Sequence, residues 1–274
     1  MHNASRLVSR RTQLVCRLAL VTGLLACGGP APGALESGTP QPPERLRAEV
    51  LETLPHDPNA FTQGFEISDG ILYESTGRVG ESTMSATELS SGTELARAEL
   101  PAPLFGEGMT VTDSSVWQLT WQDGIAIERD PSTLAERRRV RYDGEGWGLC
   151  HQTEANRLVM SDGSDVLTFR DPVSFAPLGD VAVRSAGQHV DRLNELECVG
   201  DVVYANVWQT DTILRIDPGK SVVTGEIDAS GLLSAAERAN TDVLNGIAAI
   251  PGRDEFLITG KLWPTMFRVR FTTS

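Results

Sequence analysis

Hydrophobic and polar residues alternate in short runs along most of the chain, and turns rich in Gly, Asp and Ser separate these runs. Alternation with a period of two residues predicts β-strands whose two faces differ in burial. Helical periodicity is scarce, and the one helix-like segment, "LLSAAERAN" (232–240), is short enough to be a loop excursion. The pattern therefore predicts an all-β domain.

Five of the alternating runs share a longer pattern. In each, a polar or aromatic residue, usually followed by Gly, precedes a short apolar strand, a turn, and a second strand that ends in Ser, Thr, Trp or Lys. The opening residues lie 44, 40, 47 and 51 positions apart. A period of this size in an all-β chain is typical of propeller blades with four strands each, so five repeats predict a five-bladed β-propeller. The opening residues are Gln63, Glu107, Trp147, Asn194 and Asn245.

The segments between the repeats predict the remaining strands. Segments 84–100, 125–140, 166–183 and 213–227 each resemble a hairpin with a turn of Pro, Gly or Ser. The fifth outer pair is missing from this series. We expect "AEVLETLPHD" (48–57) and "MFRVRFTTS" (266–274) to share a blade and close the ring.

The hairpin geometry of each blade brings two sets of residues together. The start of the innermost strand lies beside the end of its antiparallel partner, so both sets should meet at one mouth of the central channel. Taken singly, each such residue is more often structural than functional. These positions differ from blade to blade while the surrounding Gly and apolar residues persist, which favours a binding pocket. The strand-end residues are Ser75, Trp121, Ser161, Trp208 and Lys261.

The N-terminus predicts an export signal over residues 1–26. Four arginines precede the apolar run 18–26, whose nine residues are too few to span a bilayer of about 30 Å. The string "LLAC" resembles a bacterial lipobox, which predicts a lipid-modified Cys27, although an ordinary signal peptide containing a Cys is the alternative. Gly28 in place of Asp favours the outer membrane, facing the periplasm. Residues 27–45 are rich in Gly and Pro and predict a tether to the propeller domain at 46–274.

The net charge limits the kinds of partner that the protein is suited to bind. The formal net charge is −13, and loss of the four signal arginines would make it −17, which disfavours nucleic acid and anionic lipid surfaces. Only Cys150 and Cys198 would remain in the folded domain. A disulfide is allowed in an exported protein, but the two positions are one residue out of step in the repeat, so we expect buried free thiols. No Cys or His spacing indicates a metal site, and we expect His151 to be an ordinary strand residue.

Six strings resemble one family closely: "HDPNAFTQGFE", "LYESTGRVGES", "GEGMT", "GWGL", "LNELE" with "ANVWQTDTILRIDP", and "LNGIA" with "TGKLWP". The family is the plant and bacterial type of glutaminyl-peptide cyclotransferase, a five-bladed propeller. The resemblance implies an acyltransferase of the aminoacyltransferase class that converts the N-terminal Gln of peptides or proteins to pyroglutamate and releases ammonia without a cofactor. It implies catalytic residues Glu107, Lys261 and Gln63, and substrate contacts from Phe61, Trp121, Trp147, Asn194 and Trp208.

The reaction suggests a role for each of these residues. Glu107 would carry a proton from the attacking amine to the leaving ammonia, and flanking indoles would raise its pKa. Lys261 and Gln63 would stabilise the oxyanion, Asn194 would orient the substrate, and Trp208 would enclose its methylene groups. Two alternatives stay open: a lipid-anchored scaffold that binds a peptide or envelope partner without turnover, and a metal-dependent lactonase-like propeller. A closed propeller has no free sheet edge, so we expect a monomer.

Overall fold

The structure, a computed structural model, describes residues 41–274. The predicted signal peptide, Cys27 and most of the predicted tether lie outside the described residues. The first strand, β1, spans Glu44–Pro55 and so begins two residues before the predicted start of the domain at 46. In the part of the chain that the structure describes, no helix has the length and apolar character needed to cross a bilayer.

The architecture is a five-bladed β-propeller, as predicted from the repeat. Blade 1 consists of β2 (Thr62–Ser68), β3 (Ile71–Thr76), β4 (Thr83–Glu88) and β5 (Thr93–Glu99). Blade 2 consists of β6 (Gly106–Val111), β7 (Val116–Thr120), β8 (Ile125–Arg129) and β9 (Glu136–Arg141). Blade 3 consists of β10 (Leu149–Gln152), β11 (Arg157–Met160), β12 (Val166–Arg170) and β13 (Pro177–Ala182).

A small hairpin, β14 (Arg184–Ser185) and β15 (Gln188–His189), follows blade 3. Blade 4 consists of β16 (Leu193–Val199), β17 (Val202–Val207), β18 (Thr212–Asp217) and β19 (Val222–Asp228). The helix-like segment forms the single turn α1 (Ala235–Arg238) in a loop, capped by the Ser234 side chain. Blade 5 consists of β20 (Leu244–Ala249), β21 (Phe256–Gly260), β22 (Thr265–Thr273) and β1.

The two ends of the chain close the ring, as predicted. β1 pairs antiparallel with β22, with Leu46 opposite Thr273 and Pro55 opposite Thr265. The first residues of β1 also pair in parallel with β19 of blade 4, where Arg47 lies opposite Asp228. Blades 4 and 5 therefore form one continuous sheet, a link that the repeat alone did not predict. β1 covers an outer edge of β19 that would otherwise present unpaired backbone groups.

The hydrophobic core consists of separate clusters, one at each junction between neighbouring blades. At the junction that closes the ring, Phe65 and Leu72 of blade 1 pack with Leu257 of blade 5. At the junction of blades 2 and 3, Trp117 packs with Leu158. Because each blade is buried on both faces, the inner strands are held rigidly around the channel.

Neighbouring inner strands are staggered by one residue. The Glu66 carboxylate, three positions after Gln63, accepts the backbone N–H of Val111, four positions after Glu107, at 3.2 Å. In the same way Glu197 of blade 4 accepts the N–H of Ala249 in blade 5 at 2.8 Å. A residue on one inner strand thus faces the residue one position further along on the next.

The stagger corrects the expectation for the cysteines. Cys150 of β10 and Cys198 of β16 form a disulfide, with their Cα atoms 5.4 Å apart. The prediction of free thiols was wrong because it assumed that repeat positions lie level in adjacent blades. Cys150 lies three positions after Trp147 and Cys198 four after Asn194, which is the offset that brings inner strands into register. The bond joins blades 3 and 4 beside the channel.

Candidate functional site

A pocket of about 430 Å³ lies at the mouth of the channel where the inner strands begin. It contains all eight residues that the sequence assigns to catalysis or substrate contact. It also contains four residues that the sequence did not single out for this mouth: Phe105, Gln209, Asp242 and Val243.

Backbone pairing explains why residues from five blades meet there. The N–H of Trp121, just after β7, donates to the Phe105 carbonyl just before β6, at 3.0 Å. Lys261, just after β21, donates in the same way to the Val243 carbonyl before β20, at 2.9 Å. Each hairpin therefore presents the end of its second strand beside the start of its first, at the mouth of the channel.

Three of the ten predicted mouth positions support the backbone instead of lining the pocket. The Ser75 hydroxyl donates to the Glu107 carbonyl at 2.5 Å, and the Ser161 hydroxyl donates to the Asn194 carbonyl at 2.6 Å. The side-chain amide of Asn245 donates to the Gln63 side chain at 3.1 Å. All three hold a pocket residue in place from the neighbouring blade.

The two glycines that flank Glu107 permit close packing of the backbone. A Cβ on Gly106 would lie 2.6 Å from the Thr76 carbonyl oxygen, and one on Gly108 would lie 2.5 Å from the Trp147 carbonyl oxygen. The Gly108 N–H donates to that same Trp147 oxygen at 2.7 Å. Any side chain at either position would push the neighbouring strand away. The glycines thus fix Glu107 at the narrow ring of inner strands.

A chain of hydrogen bonds orients the Glu107 carboxylate. The Thr62 carbonyl can only accept, so it takes an N–H of the Asn245 amide at 3.0 Å. The same Asn245 nitrogen donates to Gln63 Oε1, which turns Gln63 Nε2 toward Glu107 Oε1 at 2.8 Å. Gln63 therefore positions Glu107, a contact that the predicted role in oxyanion binding did not include.

Burial dominates the electrostatics of the pocket. Glu107 is 5% exposed, and desolvation raises the pKa of its carboxyl well above the ordinary value. The nearby charge of Lys261 opposes this shift, whereas the negative charge of Glu145 adds to it. Lys261 is equally buried, which lowers the pKa of its ammonium, and Nζ lies 4.9 Å from the centroid of the Phe61 ring. The pocket thus holds a buried acid and a buried base, each with its charged form disfavoured by burial.

Two groups of aromatic rings enclose these charges. Phe61, Phe105 and Trp121 form one series of edge-to-face contacts, with ring centroids 6.2 and 5.6 Å apart. Trp147 and Trp208 form the other, at 5.6 Å and nearly perpendicular. Edge-to-face packing fixes the orientation of the rings as well as their position. The space between them suits a short aliphatic segment.

One acceptor in the pocket has no protein donor. Asn194 is 2% exposed, and within residues 41–274 no hydrogen-bond donor reaches its side-chain oxygen Oδ1. A buried oxygen without a partner is costly unless a ligand supplies the N–H. Asn194 Oδ1 is therefore suited to accept a hydrogen bond from a bound amine or amide.

Phe105 could have been found from the repeat. The strings "FTQG" and "FGEG" place Phe61 two residues before Gln63 and Phe105 two residues before Glu107. Val243 occupies the same register position before Asn245. Phe105 and Val243 lie two residues before the strand starts that predict the mouth, and their carbonyls pair with the strand ends Trp121 and Lys261. Gln209 and Asp242 lie in irregular loops, where the repeat carries no signal.

The arrangement of carboxylates bears on the lactonase alternative. A metal-dependent lactonase needs several carboxylates that converge on one ion at the mouth of the channel. Glu107 and Asp242 line this pocket and Glu145 lies beside it, with its carboxylate turned toward the indoles. Among residues 41–274, no group of three His, Cys, Asp or Glu side chains has an arrangement suited to a metal ion.

Comparison with known proteins gives three results. Residues 21–271 match the family model described as glutamine cyclotransferase. A glutaminyl-peptide cyclotransferase from Arabidopsis thaliana is 36% identical over 228 residues, which cover 81% of this chain and 70% of the plant protein. The crystal structure of a Myxococcus xanthus glutaminyl cyclase superposes with a TM-score of 0.76 at 39% identity, covering 85% of this chain and 99% of that one.

Proposed function

The chain belongs to the glutamine cyclotransferase family, and from this premise we propose that it converts the N-terminal Gln of peptides or proteins to pyroglutamate with release of ammonia. The observation that carries the proposal is Glu107, buried in a pocket of indoles beside a buried lysine. The reaction is an acyl transfer: the γ-glutamyl carbonyl passes from one nitrogen to another. We therefore place it with the aminoacyltransferases.

The geometry of the pocket supports the following steps, which are part of the proposal. The substrate α-amine forms a bond to its own γ-amide carbon, and one of its protons passes to the Glu107 carboxylate. Lys261 donates to the oxygen that becomes negative. The bond to the amide nitrogen then breaks, the carbonyl re-forms, and Glu107 returns the proton to the departing ammonia. One carboxylate thus acts first as base and then as acid.

The surrounding residues bind and shape the substrate. Asn194 Oδ1 is available to accept an N–H of the substrate amine or amide. The indoles of Trp121, Trp147 and Trp208 enclose the glutamine methylenes in the bent form that the five-membered ring requires. Holding a flexible chain in a reactive conformation supplies a large part of the rate. None of these steps requires a cofactor.

A coupled ammonia assay on a Gln-initiated dipeptide tests the proposal directly. We expect ammonia and a pyroglutamyl product in equal amounts over many turnovers. The comparisons do not favour the alternative of a non-catalytic scaffold, which predicts stoichiometric binding of the peptide with no ammonia released. That outcome would overturn the proposed activity.

We place the protein in the bacterial envelope as a lipoprotein that faces the periplasm, joined to the membrane only through Cys27. The proposal rests on the sequence of the N-terminus. Fractionation of cells that express the Cys27→Ser variant tests it: the variant should leave the membrane fraction while turnover by the folded domain stays the same. Equal membrane retention of the variant would exclude the lipid site. The closed ring supports a monomer, which light scattering would measure.

A further inference from the structure

One carboxylate beside the pocket contacts two of its aromatic rings at once. Glu145 Oε2 accepts the indole N–H of Trp121 at 2.8 Å and that of Trp147 at 3.0 Å. Its other oxygen accepts the side-chain amide of Gln122 at 3.0 Å. Both carboxylate oxygens therefore accept hydrogen bonds from these three side chains. This arrangement does not suit Glu145 for carrying the proton of the reaction.

The loop that carries Glu145 is fixed without the help of its side chain. The N–H of Gly146 donates to the Trp121 carbonyl at 3.0 Å, and the N–H of Trp147 donates to the Ser161 carbonyl at 3.0 Å. A Cβ on Gly146 would lie 2.2 Å from the Tyr142 hydroxyl oxygen, so the backbone packs tightly there. Removal of the Glu145 side chain should therefore free the indoles without displacing the loop.

The two indoles belong to different aromatic groups. Trp121 contacts Phe105 on one side of the pocket, and Trp147 contacts Trp208 on the other. Trp121 is also 36% exposed, so packing alone restrains it weakly. A single acceptor shared by both N–H groups sets the distance between the two sides.

We propose that Glu145 is a positioning residue, whose carboxylate holds the indoles of Trp121 and Trp147 at the separation that the bent substrate requires. The inference rests on the proposed cyclotransferase function. Hydrogen bonds to a charged acceptor are stronger and shorter than neutral ones, which suits this task. A displacement of about 1 Å in a substrate-positioning group can lower the rate about 10²-fold.

The charge of Glu145 has a second effect, on Glu107. The charged and titratable groups that interact with Glu107 are Lys261, Glu145 and Tyr142. The negative charge of Glu145 raises the pKa of Glu107. Neutralising Glu145 should therefore lower that pKa and move the acid limb of the kcat profile to lower pH.

Three variants separate the two effects. Glu145→Ala removes the shared acceptor, and we expect kcat/KM to fall about 10²-fold. Glu145→Asp keeps the charge but withdraws the carboxylate by one methylene, so it should lose rate with no movement of the acid limb. Glu145→Gln keeps an oxygen for the indoles but loses the charge, so it should move the acid limb and lose less rate. Asp143→Asn, which removes an exposed charge from the same loop, is the matched control and should change neither.

The indole N–H resonances of ¹⁵N-Trp-labelled protein report the contact without reference to activity. The chain has five Trp. We expect Glu145→Ala to shift the resonances of Trp121 and Trp147, and also that of Trp208, whose ring contacts Trp147. The resonances of Trp117 and Trp263, whose N–H groups donate to the Pro172 and Asp242 carbonyls, should stay in place and show that the fold is intact. Unshifted resonances in both Glu145→Ala and Glu145→Asp would overturn the contact. Shifted resonances with kcat/KM within about twofold of the wild type would overturn the positioning role. Absence of ammonia release by the wild type would instead refute the proposed function, and the resonances would still decide the contact.

Discussion

The substitution Glu107→Gln removes proton transfer while keeping the volume of the side chain and its hydrogen bond to Gln63. Glutamine has nearly the volume of glutamate, and its carbonyl oxygen can still accept the Gln63 amide that lies 2.8 Å from Glu107 Oε1. The backbone contacts of Gly106 and Gly108 do not involve the side chain. The variant should therefore keep the pocket and lose only the group that exchanges a proton.

Stability should be unchanged or higher in this variant. Burial raises the pKa of Glu107, so folding favours its neutral form. For an acid with a raised pKa, stability is greatest below the unfolded value and falls as pH rises through the folded value. A neutral glutamine avoids that loss, so the Tm of Glu107→Gln at neutral pH should equal or exceed that of the wild type.

Turnover should fall by about 10²-fold or more, the usual contribution of general acid–base catalysis, which corresponds to about 2.7 kcal/mol in the barrier. Ammonia release at saturating dipeptide measures kcat, and titration calorimetry measures binding, which should change much less. Glu107→Asp is the matched control because it keeps a carboxylate one methylene shorter and should retain partial turnover. Near wild-type turnover by Glu107→Gln with an unchanged Tm would show that another group carries the proton.

Three further predictions concern charge, binding and stability. Lys261→Met removes the charge that lowers the pKa of Glu107, so the acid limb of kcat should move to higher pH and turnover should fall about 10²-fold with the lost oxyanion donor. Trp208→Ala should raise KM about 10-fold through the lost ring contact and should retain only part of the turnover at saturating substrate. Replacing Cys150 and Cys198 by Ser should lower the free energy of unfolding in urea by about 4 kcal/mol, because the bond closes a loop of 48 residues, and should leave kcat unchanged.

The sequence predicted the ring and its mouth because both depend on periodicity. Five strand starts at a spacing of 40 to 51 residues require five similar hairpins, and antiparallel pairing then places each strand end beside its own strand start. The resemblance to one family added roles to seven of those positions, and it alone added Phe61, which the register did not place at the mouth. The structure collects all eight assigned residues in one pocket.

The periodicity of the sequence does not predict the contacts between neighbouring blades. The repeat says where each strand begins, but not how far one inner strand is shifted along its neighbour. The one-residue stagger decides that Cys150 meets Cys198. The parallel pairing of β1 with β19 depends likewise on an extension of β1 beyond its own blade. These contacts arise from the tilt of strands around a closed ring, which a single repeat does not encode.

Burial alone would not have identified the proton carrier. Four carboxylates on the inner strands have raised pKa values caused mainly by burial: Glu66, Glu107, Glu195 and Glu197. Perturbed pKa values accompany structural networks as well as active sites. Their hydrogen-bond partners separate the two cases.

Three of these carboxylates pair backbone groups of other blades. Glu66 accepts the N–H of Val111, Glu197 that of Ala249, and Glu195 that of Ile247 at 2.9 Å. Glu107 differs, because within residues 41–274 its carboxylate accepts only the Gln63 amide, and it lies in a pocket with Lys261. A carboxylate that holds two strands together cannot exchange protons without weakening the fold. Glu107 can, since its one partner is a side chain and its surroundings open to a substrate, and this distinguishes it from the other three.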